Sequence, residues 1–307
     1  MRVLFVFVDG IGMGPVGPSN PFVGLPLEVL GPLGGRAGFA GAAYSSLDAT
    51  LGHPGLPQSA TGQGVLFTGE DLIEVAGGHW SGRPTPRIAR KIVEYSFLRR
   101  AREAGLRSGF LNAFDEARAA HVARVVAGEE RPSKRWAPSA SSWAAVAGGG
   151  SLRTFRDVEL GRAATFDLTG ELLRSHGVAA PRRTIKEAAR SVAAGAAELD
   201  VALFELFLTD EAGHSQNLDF ARNEILRTDR FLTALFGAID AREQLVVVTS
   251  DHGNLEDLST RSHTRAEVPL IGHGARADEF TKKIASLKDM SPTILGSVTT
   301  RPTTRPS

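Results

Sequence analysis

The fold is decided by the stretch Val3-Leu4-Phe5-Val6-Phe7-Val8-Asp9-Gly10, in which six apolar residues precede an acidic residue and a glycine. A continuous apolar run of this length is typical of a strand buried on both faces, as in a parallel sheet covered by helices. The run is too short for the apolar region of a typical signal peptide, and no small-residue cleavage site follows it. We therefore expect a buried strand and a cytoplasmic protein.

Similar short apolar runs recur along the chain, at Val201–Leu208, Leu245–Thr249 and Val268–Ile271. Helical patterns lie between them. One of these is a helix that a capping box at Thr184–Glu187 would open. This alternation predicts an α/β fold with a mostly parallel sheet flanked by helices. The ligand crevice of such a sheet lies beyond the carboxyl ends of its strands, so polar residues that directly follow the runs should converge there.

The composition excludes several classes of protein. Of the 307 residues, 42% are hydrophobic and 22% are charged, which is ordinary for a globular protein with a large core. The formal net charge of +1 gives no basic field for nucleic acid, and no apolar segment is long enough to span a membrane. The chain has no cysteine and only eight histidines, so a metal site must be built from imidazole, carboxylate and hydroxyl groups.

The composition of successive segments predicts the domain organisation of the chain. We expect residues 1–114 and 184–298 to form the core, residues 115–183 to form a small inserted cap, and residues 299–307 to be a disordered tail. Within the core, residues 12–57 are rich in Gly and Pro and predict a long loop at the sheet edge. A helix is expected from the Pro84/Pro86 region to about Gly105, followed by a strand at Ser108–Phe114.

Two motifs after the apolar runs carry possible metal ligands. Asp210 and His214 are four positions apart, so both side chains would share one face of a helix. Asp251-His252-Gly253-Asn254 directly follows a strand, and the glycine permits the turn that would aim both ligands at one ion. An N-cap aspartate with a surface histidine, and a polar turn, are the alternative interpretations. His263 is a lone histidine that gains meaning only beside the others.

Ser59 lies among small residues in Pro57-Gln58-Ser59-Ala60-Thr61-Gly62. A serine at the start of a helix is most simply an N-cap. The same position suits a nucleophile, because the N–H groups of a helix N-terminus attract phosphate. A serine hydroxyl ionises poorly near neutral pH, so a nucleophilic Ser59 would need a metal to stabilise its alkoxide.

Taken together, the motifs resemble the alkaline phosphatase superfamily, and most of all its branch of cofactor-independent phosphoglycerate mutase and phosphopentomutase. The resemblance covers residues 1–113 and 184–298, and it does not cover the cap. It implies that Asp9, Ser59, Asp251 and His252 surround one divalent ion, and that Asp210, His214 and His263 surround another. It further implies a phosphoserine at Ser59. This ligand set suits Mn²⁺ or Zn²⁺ better than Ca²⁺ or Mg²⁺.

The sequence also departs from the mutase pattern. Gln58 and Gln63 replace an Asn and a His of that pattern, and residues 115–183 are far fewer than a full mutase cap. These departures favour hydrolysis of a small phosphorylated substrate over phosphoglycerate mutation. A mutase and a catalytically silent metal-binding homologue are the alternatives. Thr61, His79 and Arg83 are candidate substrate contacts, no nucleic acid or membrane partner is expected, and the oligomeric state is not predicted.

Overall fold

The computed structural model describes residues 1–133 and 136–299. Its centre is a seven-stranded sheet with the strand order β2-β7-β6-β1-β5-β3-β4. The strands are β1 (Arg2–Val8), β2 (Ala42–Leu47), β3 (Ser108–Phe114), β4 (Leu152–Thr154), β5 (Val201–Leu206), β6 (Gln244–Thr249) and β7 (Val268–Gly274). The helices are α1 (Ser59–Thr68), α2 (Leu72–Ala76), α3 (Pro86–Tyr95), α4 (Phe97–Glu103), α5 (Glu116–Val126), α6 (Ala140–Val146), α7 (Phe155–Glu159), α8 (Glu171–Ser175), α9 (Ile185–Ala197), α10 (Leu208–Ser215), α11 (Leu218–Phe236), α12 (Ala277–Thr281) and α13 (Met290–Thr299). Short 3-10 helices cover Gly31–Gly34, Ala147–Gly149 and Leu287–Asp289.

The predicted α/β fold with a mostly parallel sheet is confirmed. Strand β1 lies at the centre and pairs in parallel with β5 on one side and β6 on the other. Strands β3 and β4 continue the parallel arrangement, whereas β7 runs antiparallel to both β6 and β2. Each of the four apolar runs contributes a strand, and the capping box at Thr184 opens α9 as expected.

Helices cover both faces of the sheet, which explains why the central strand β1 is continuously apolar. Along β1, Val3, Phe5 and Phe7 pack into the core with α1, α4 and α13, while alternate side chains pack on the other face with α9 and α11. All six residues of the run are at most 2% exposed. Burial on both faces accounts for a run that lacks polar alternation.

Two segments differ in detail from expectation, and a third lies almost wholly outside the described residues. The Gly- and Pro-rich region 12–57 contains the edge strand β2, so it is not a loop throughout. The helix expected up to Gly105 is split into α3 and α4 at Ser96, whose hydroxyl caps the second helix by accepting from Arg99 N. The tail predicted at residues 299–307 lies outside the described residues from position 300 onward, and Thr299 ends α13.

Residues 115–183, predicted to form a cap, also contribute to the core. Strand β4 pairs with β3 at the sheet edge, and α6 buries Ala140, Ala144 and Ala145 in the same cluster as β1. The division into core and cap remains a prediction. In the part of the chain that the structure describes, no helix has both the length and the apolar character needed to cross a bilayer.

A gap between β3 and β5 makes room for a cavity. Their pairing runs from Ser108↔Val201 to Phe110↔Leu203 and ends there. Beyond it, the Asn112 side chain takes over: its Nδ2 donates to Glu205 O (2.7 Å) and its Oδ1 accepts from Glu205 N (2.7 Å). The side-chain amide satisfies the backbone of β5 while the strands diverge. This divergence opens a cavity at the carboxyl end of the sheet.

Candidate metal centre and active-site cavity

The carboxyl ends of the central strands bring the predicted Asp and His residues into two compact groups. Asp9 follows β1, Asp251 and His252 follow β6, and their ligand atoms all lie within 4.8 Å of one another. Asp210 and His214 lie on α10, directly after β5, and form the second group with His263 under the same distance limit. The rings of His252 and His263 stack with centroids 3.7 Å apart, so the two groups adjoin.

The first group is buried and its polar atoms are incompletely satisfied. His252 Nε2 lies 3.4 Å from Asp9 Oδ1 and 3.5 Å from Asp251 Oδ2. Asp9 Oδ1 and both carboxylate oxygens of Asp251 are buried without a hydrogen-bond donor. Gln63 Nε2 donates to the remaining oxygen of Asp9, at 3.0 Å. Buried carboxylate oxygens without donors are costly unless a cation completes them.

The electrostatics of this group also favour a bound cation. Burial, together with the charges of Asp251 and Asp210, raises the pKa of Asp9 well above its usual range. Burial and the charge of Asp210 raise the pKa of Asp251. Burial and neighbouring His263 lower the pKa of His252, which favours the neutral imidazole that metals bind.

In the second group, both imidazoles are oriented by backbone carbonyls. His214 Nδ1 donates to Arg261 O (2.7 Å) and His263 Nδ1 donates to Pro57 O (2.8 Å). A carbonyl can only accept, so the proton of each neutral ring lies on Nδ1 and the Nε2 lone pair is free. Asp210 Oδ2 lies 3.3 Å from His214 Nε2, and Asp210 Oδ1 accepts from Asn254 Nδ2 at 2.7 Å. A carbonyl that fixes the histidine tautomer is a common support for a metal ligand.

The residues present therefore fit a metal. The first group offers buried oxygens without donors, and the second offers free Nε2 lone pairs that converge on a carboxylate. Carboxylate and imidazole groups are ligands that divalent metal ions commonly take in proteins.

Ser59 begins α1 and points into the first group, with Oγ 3.0 Å from His252 Nε2. The N-cap is Gln58, so Ser59 is the first residue inside the helix. The amides of Ala60 and Thr61 are not available to a phosphate, because both donate to Trp80 O (3.1 and 3.3 Å). Attraction of phosphate by the N-terminal amides of α1 therefore stays a prediction, and it does not rest on Ala60 or Thr61.

A cavity of about 350 Å³ opens beside Ser59 and between the diverging strands. Its floor includes Asp9, Ser59 and Asp210, and Phe166 and Phe207 stack with centroids 4.6 Å apart at its wall. The remaining lining residues are Gln63, Gly82, Arg83, Asn112, Ala113, Phe114, Arg118, Ser139, Ala140, Glu205 and Glu211. The cavity thus combines cationic, anionic and aromatic groups next to the serine.

The three candidate substrate contacts are placed differently. Arg83 lines the cavity, whereas Thr61 and His79 do not. Thr61 is fully buried, and its hydroxyl donates to Gln58 O and accepts from Trp80 N. His79 packs instead beside His53, with ring centroids 6.4 Å apart. Thr61 therefore holds the loop that carries Arg83, and it does not face the cavity.

Several residues of the site are not predicted from the sequence. Arg118 on α5 lines the cavity, and burial and nearby Arg83 lower its pKa. Glu205 lies inside the apolar strand β5, accepts from Ser141 Oγ at 2.6 Å, and has a pKa that burial raises. A charged residue within a buried strand is a signal that could have identified Glu205. Arg118 offers no such signal, because exposed arginines are common on helices.

Comparison with known proteins agrees with this geometry. Residues 173–302 match the model of the metalloenzyme superfamily. The chain is 33% identical over 102 residues to the 2,3-bisphosphoglycerate-independent phosphoglycerate mutase of Gloeothece citriformis (strain PCC 7424). This match covers 28% of the chain but only 19% of the mutase, so the chain spans a small part of that relative.

Solved structures are similar in fold over 97% of the chain. The cold-active alkaline phosphatase from the psychrophile Shewanella sp. is similar with a TM-score of 0.58 at 12% identity, over 97% of this chain and 100% of that one. The PH0037 protein from Pyrococcus horikoshii has a TM-score of 0.58 at 14% identity, over 97% and 96% of the two chains. The chain therefore has an alkaline phosphatase-like fold, and its residues 173–302 are similar to the metalloenzyme superfamily, in agreement with its motifs.

Proposed function

We propose that the protein binds two divalent metal ions and uses Ser59 as the nucleophile of a phosphohydrolase or phosphotransferase that acts on a small phosphate ester. Asp9, Ser59, Asp251 and His252 would hold one ion, and Asp210, His214 and His263 the other. The observation that carries the proposal is the position of Ser59 Oγ, 3.0 Å from His252 Nε2 and open to the cavity. This position brings a hydroxyl into the ligand group and leaves it accessible.

Bound divalent ions would supply the charge stabilisation that an in-line phosphoryl transfer needs at its attacking and leaving oxygens. Ser59 Oγ would form a bond to phosphorus as the bond to the leaving alcohol breaks, and water or an acceptor hydroxyl would then release the phosphoryl group from the serine. The Ser59 backbone is held at the start of helix α1, and Gln63 on the same helix orients Asp9. Preorganised groups of this kind require little rearrangement during the reaction.

The cavity supports a small substrate. Its volume of about 350 Å³ lies at the low end of ligand pockets. Arg83 and Arg118 at its wall would attract an anionic ester, since guanidinium groups bind phosphate and carboxylate oxygens. Hydrolysis is favoured over phosphoglycerate mutation because residues 115–183 are too few for a full mutase cap. A phosphoglycerate mutase activity, for which the sequence match is the support, is the second candidate.

The test is turnover of p-nitrophenyl phosphate by the metal-loaded protein, measured for the wild type, Ser59→Ala and, as a control, Ser81→Ala on an exposed loop. We expect Ser59→Ala to lose on the order of a thousandfold or more in kcat and Ser81→Ala to match the wild type. Equal turnover by Ser59→Ala and wild type would remove Ser59 as the nucleophile. A coupled assay of phosphoglycerate isomerisation separates the mutase from the hydrolase.

Three finer expectations belong to the same proposal. Mn²⁺ or Zn²⁺ is the expected metal, and metal analysis of the purified protein distinguishes them. No nucleic acid or membrane partner is expected, in line with the balanced charge of the chain. A cytoplasmic location is part of the proposal, and cell fractionation tests it.

A further inference from the structure

Glu256 is a buried carboxylate in the loop that follows the Asp251-His252-Gly253-Asn254 motif. It is 2% exposed. Burial raises its pKa, and the groups that oppose this shift are hydrogen-bond donors. A buried carboxylate requires such donors, and their position shows what the residue holds together.

The donors come from three separate segments. Gly12 N donates to Oε2 at 2.9 Å, and Asn254 N donates to the same oxygen at 2.8 Å. The hydroxyl of Thr264 donates to Oε1. A single side chain thus ties together the loop after β1, the loop after β6 and the segment before β7.

Each of these segments carries a candidate metal ligand close to its contact with Glu256. Asp9 lies three residues before Gly12, and His252 lies two residues before Asn254. His263 directly precedes Thr264. Asp9 and His252 belong to the first ligand group and His263 to the second, so Glu256 connects segments that serve both groups.

The fit around the carboxylate is close. A Cβ atom added at Gly12 or at Gly253 would overlap the Glu256 carboxylate. The two glycines therefore leave the space that this side chain fills. Backbone bonds join the same segments, since Thr264 N donates to Gly253 O (3.0 Å) and Leu255 N donates to Gly10 O (2.9 Å).

We propose that Glu256 is a positioning residue that holds Asp9, His252 and His263 at the spacing required for metal binding. The inference rests on the proposed metal centre. Glu256 belongs to neither ligand group, and both of its oxygens accept from the protein. Its role is therefore to hold the ligands and not to bind the ions.

A glutamine at position 256 distinguishes a positioning role of Glu256 from an electrostatic one. Gln has the same shape, its oxygen can accept from both Gly12 N and Asn254 N, and its amide can donate to the Thr264 hydroxyl once that hydroxyl turns. If Glu256 acts by position, Glu256→Gln keeps the metal affinity. If it acts by the attraction of its negative charge for the cations, Glu256→Gln loses as much affinity as Glu256→Ala.

The experiment is a direct titration of the metal-free protein with Mn²⁺ alone, followed by calorimetry or by equilibrium dialysis. We expect Glu256→Ala to bind Mn²⁺ ten- to a hundredfold more weakly, the range found when a group supporting a metal ligand is removed. Glu256→Gln should stay within about threefold of the wild type. Thr264→Val keeps the carboxylate and removes one donor, so it should fall between them, and it serves if Glu256→Ala does not fold.

Asp229→Ala is the matched control. Asp229 is also a buried carboxylate that accepts backbone amides, from Glu28 N (3.0 Å) and Leu30 N (2.8 Å), but it lies on α11 and outside both ligand groups. We expect Asp229→Ala to lower the melting temperature and leave Mn²⁺ affinity within threefold of the wild type. A purely structural role for Glu256 would make the two alanine variants alike in both measurements.

The outcomes are distinct. A wild-type protein that binds no Mn²⁺ overturns the proposed metal centre and this inference with it. Wild-type binding that Glu256→Ala and Thr264→Val leave unchanged overturns the role of Glu256 alone. A loss in Glu256→Gln as large as that in Glu256→Ala overturns positioning in favour of charge.

Discussion

His214 and His263 face each other through their Nε2 atoms, which lie 3.1 Å apart. Each ring donates through Nδ1 to a backbone carbonyl, so in the neutral rings two lone pairs point toward the same space. Asp210 Oδ1 lies 3.6 Å from His263 Nε2, which adds a negative charge to this space. Three electron-rich atoms in one place oppose each other until a cation lies between them.

This relationship predicts that metal stabilises the fold through both histidines. At Mn²⁺ concentrations about a hundredfold above the dissociation constant, the wild-type free energy of unfolding should rise by about 2.7 kcal/mol per bound ion. His263→Ala should bind one Mn²⁺ fewer and lose the corresponding share of this increase. Thermal denaturation with and without Mn²⁺ measures the effect.

His273→Ala is the control for that experiment. His273 stacks on Phe236 with centroids 4.5 Å apart and belongs to neither ligand group. The His273→Ala variant should have a lower melting temperature and keep the full Mn²⁺-dependent increase in the free energy of unfolding. If Mn²⁺ stabilises His263→Ala as much as it stabilises His273→Ala and the wild type, His263 is not a ligand.

The buried carboxyls predict a pH dependence of the metal-free protein. The pKa values of Asp9 and Asp251 are raised in the folded state, so the folded state binds more protons than the unfolded chain. Their contribution to stability is then fully present below the unfolded pKa of about 4 and is lost as pH rises through the raised folded values. With EDTA present, the wild type should therefore lose stability with rising pH relative to Asp251→Asn.

The measurement is the difference in melting temperature between wild type and Asp251→Asn at several pH values from about 4 upward. Taking the difference removes the contribution of groups common to both proteins, including His252, whose lowered pKa acts in the opposite direction. Mn²⁺ should restore the wild type at neutral pH and have a smaller effect on the variant. A difference that does not change with pH contradicts the prediction.

Arg118 should affect substrate binding more than turnover. Loss of one charge-assisted contact is worth about 1.5–3 kcal/mol, so Arg118→Gln should raise KM for an anionic phosphate ester by roughly ten- to a hundredfold. Arg124→Gln lies on the same helix, but Arg124 pairs with Glu130 outside the cavity, so its KM should be unchanged. Steady-state kinetics of the two variants test this prediction. If Arg118→Gln and Arg124→Gln have equal KM values, Arg118 does not belong to the binding site.

Asn112 should be needed for both stability and the shape of the cavity. Asn112→Ala leaves the buried amide and carbonyl of Glu205 without their partner, which should cost about 2–4 kcal/mol in the free energy of unfolding. It should also raise KM, because Asn112 and Glu205 both line the cavity. Urea denaturation and kinetics on the same preparation measure the two effects.

Asn20→Ala provides the comparison for Asn112→Ala. Asn20 is a buried asparagine that bonds to the backbone of Pro15, Phe22 and Leu33, away from the cavity. It should destabilise the protein to a similar degree and leave KM unchanged. A change in KM of equal size in both variants would mean that the effect of Asn112 is general and not local.

The sequence predicted the parts of the fold that depend on local pattern. Strands β1, β5, β6 and β7 are apolar runs, because both faces of the sheet are covered, and the capping box of α9 lies within four residues. Strand β2 was missed because its Ala-Ala-Tyr-Ser-Ser-Leu sequence is largely small or polar at a sheet edge. The break at Ser96 was missed because a serine cap inside a helical pattern differs little from a surface serine.

The same division applies to the site. Asp9, Asp210, Asp251 and His252 could be anticipated because the ends of parallel strands converge. The role of His263, which precedes β7, came only from the family resemblance. Glu256 and Asn112 could not, because their partners lie far away in the sequence: Gly12 for Glu256 and Glu205 for Asn112. Hydrogen bonds between distant segments leave no periodic trace in a single sequence.

The early end of the β3–β5 pairing has a consequence for how the protein can change over time. The candidate Asp and His ligands lie after β1, β5 and β6 and before β7, and Ser59 begins α1, whereas much of the cavity wall comes from residues 82–166. Side chains on that wall other than Asn112 can be exchanged without removing an Asp or His ligand, because Asn112 satisfies the backbone of β5 with its own amide. The architecture therefore allows substrate preference to diverge among descendants while the centre beside it is inherited intact.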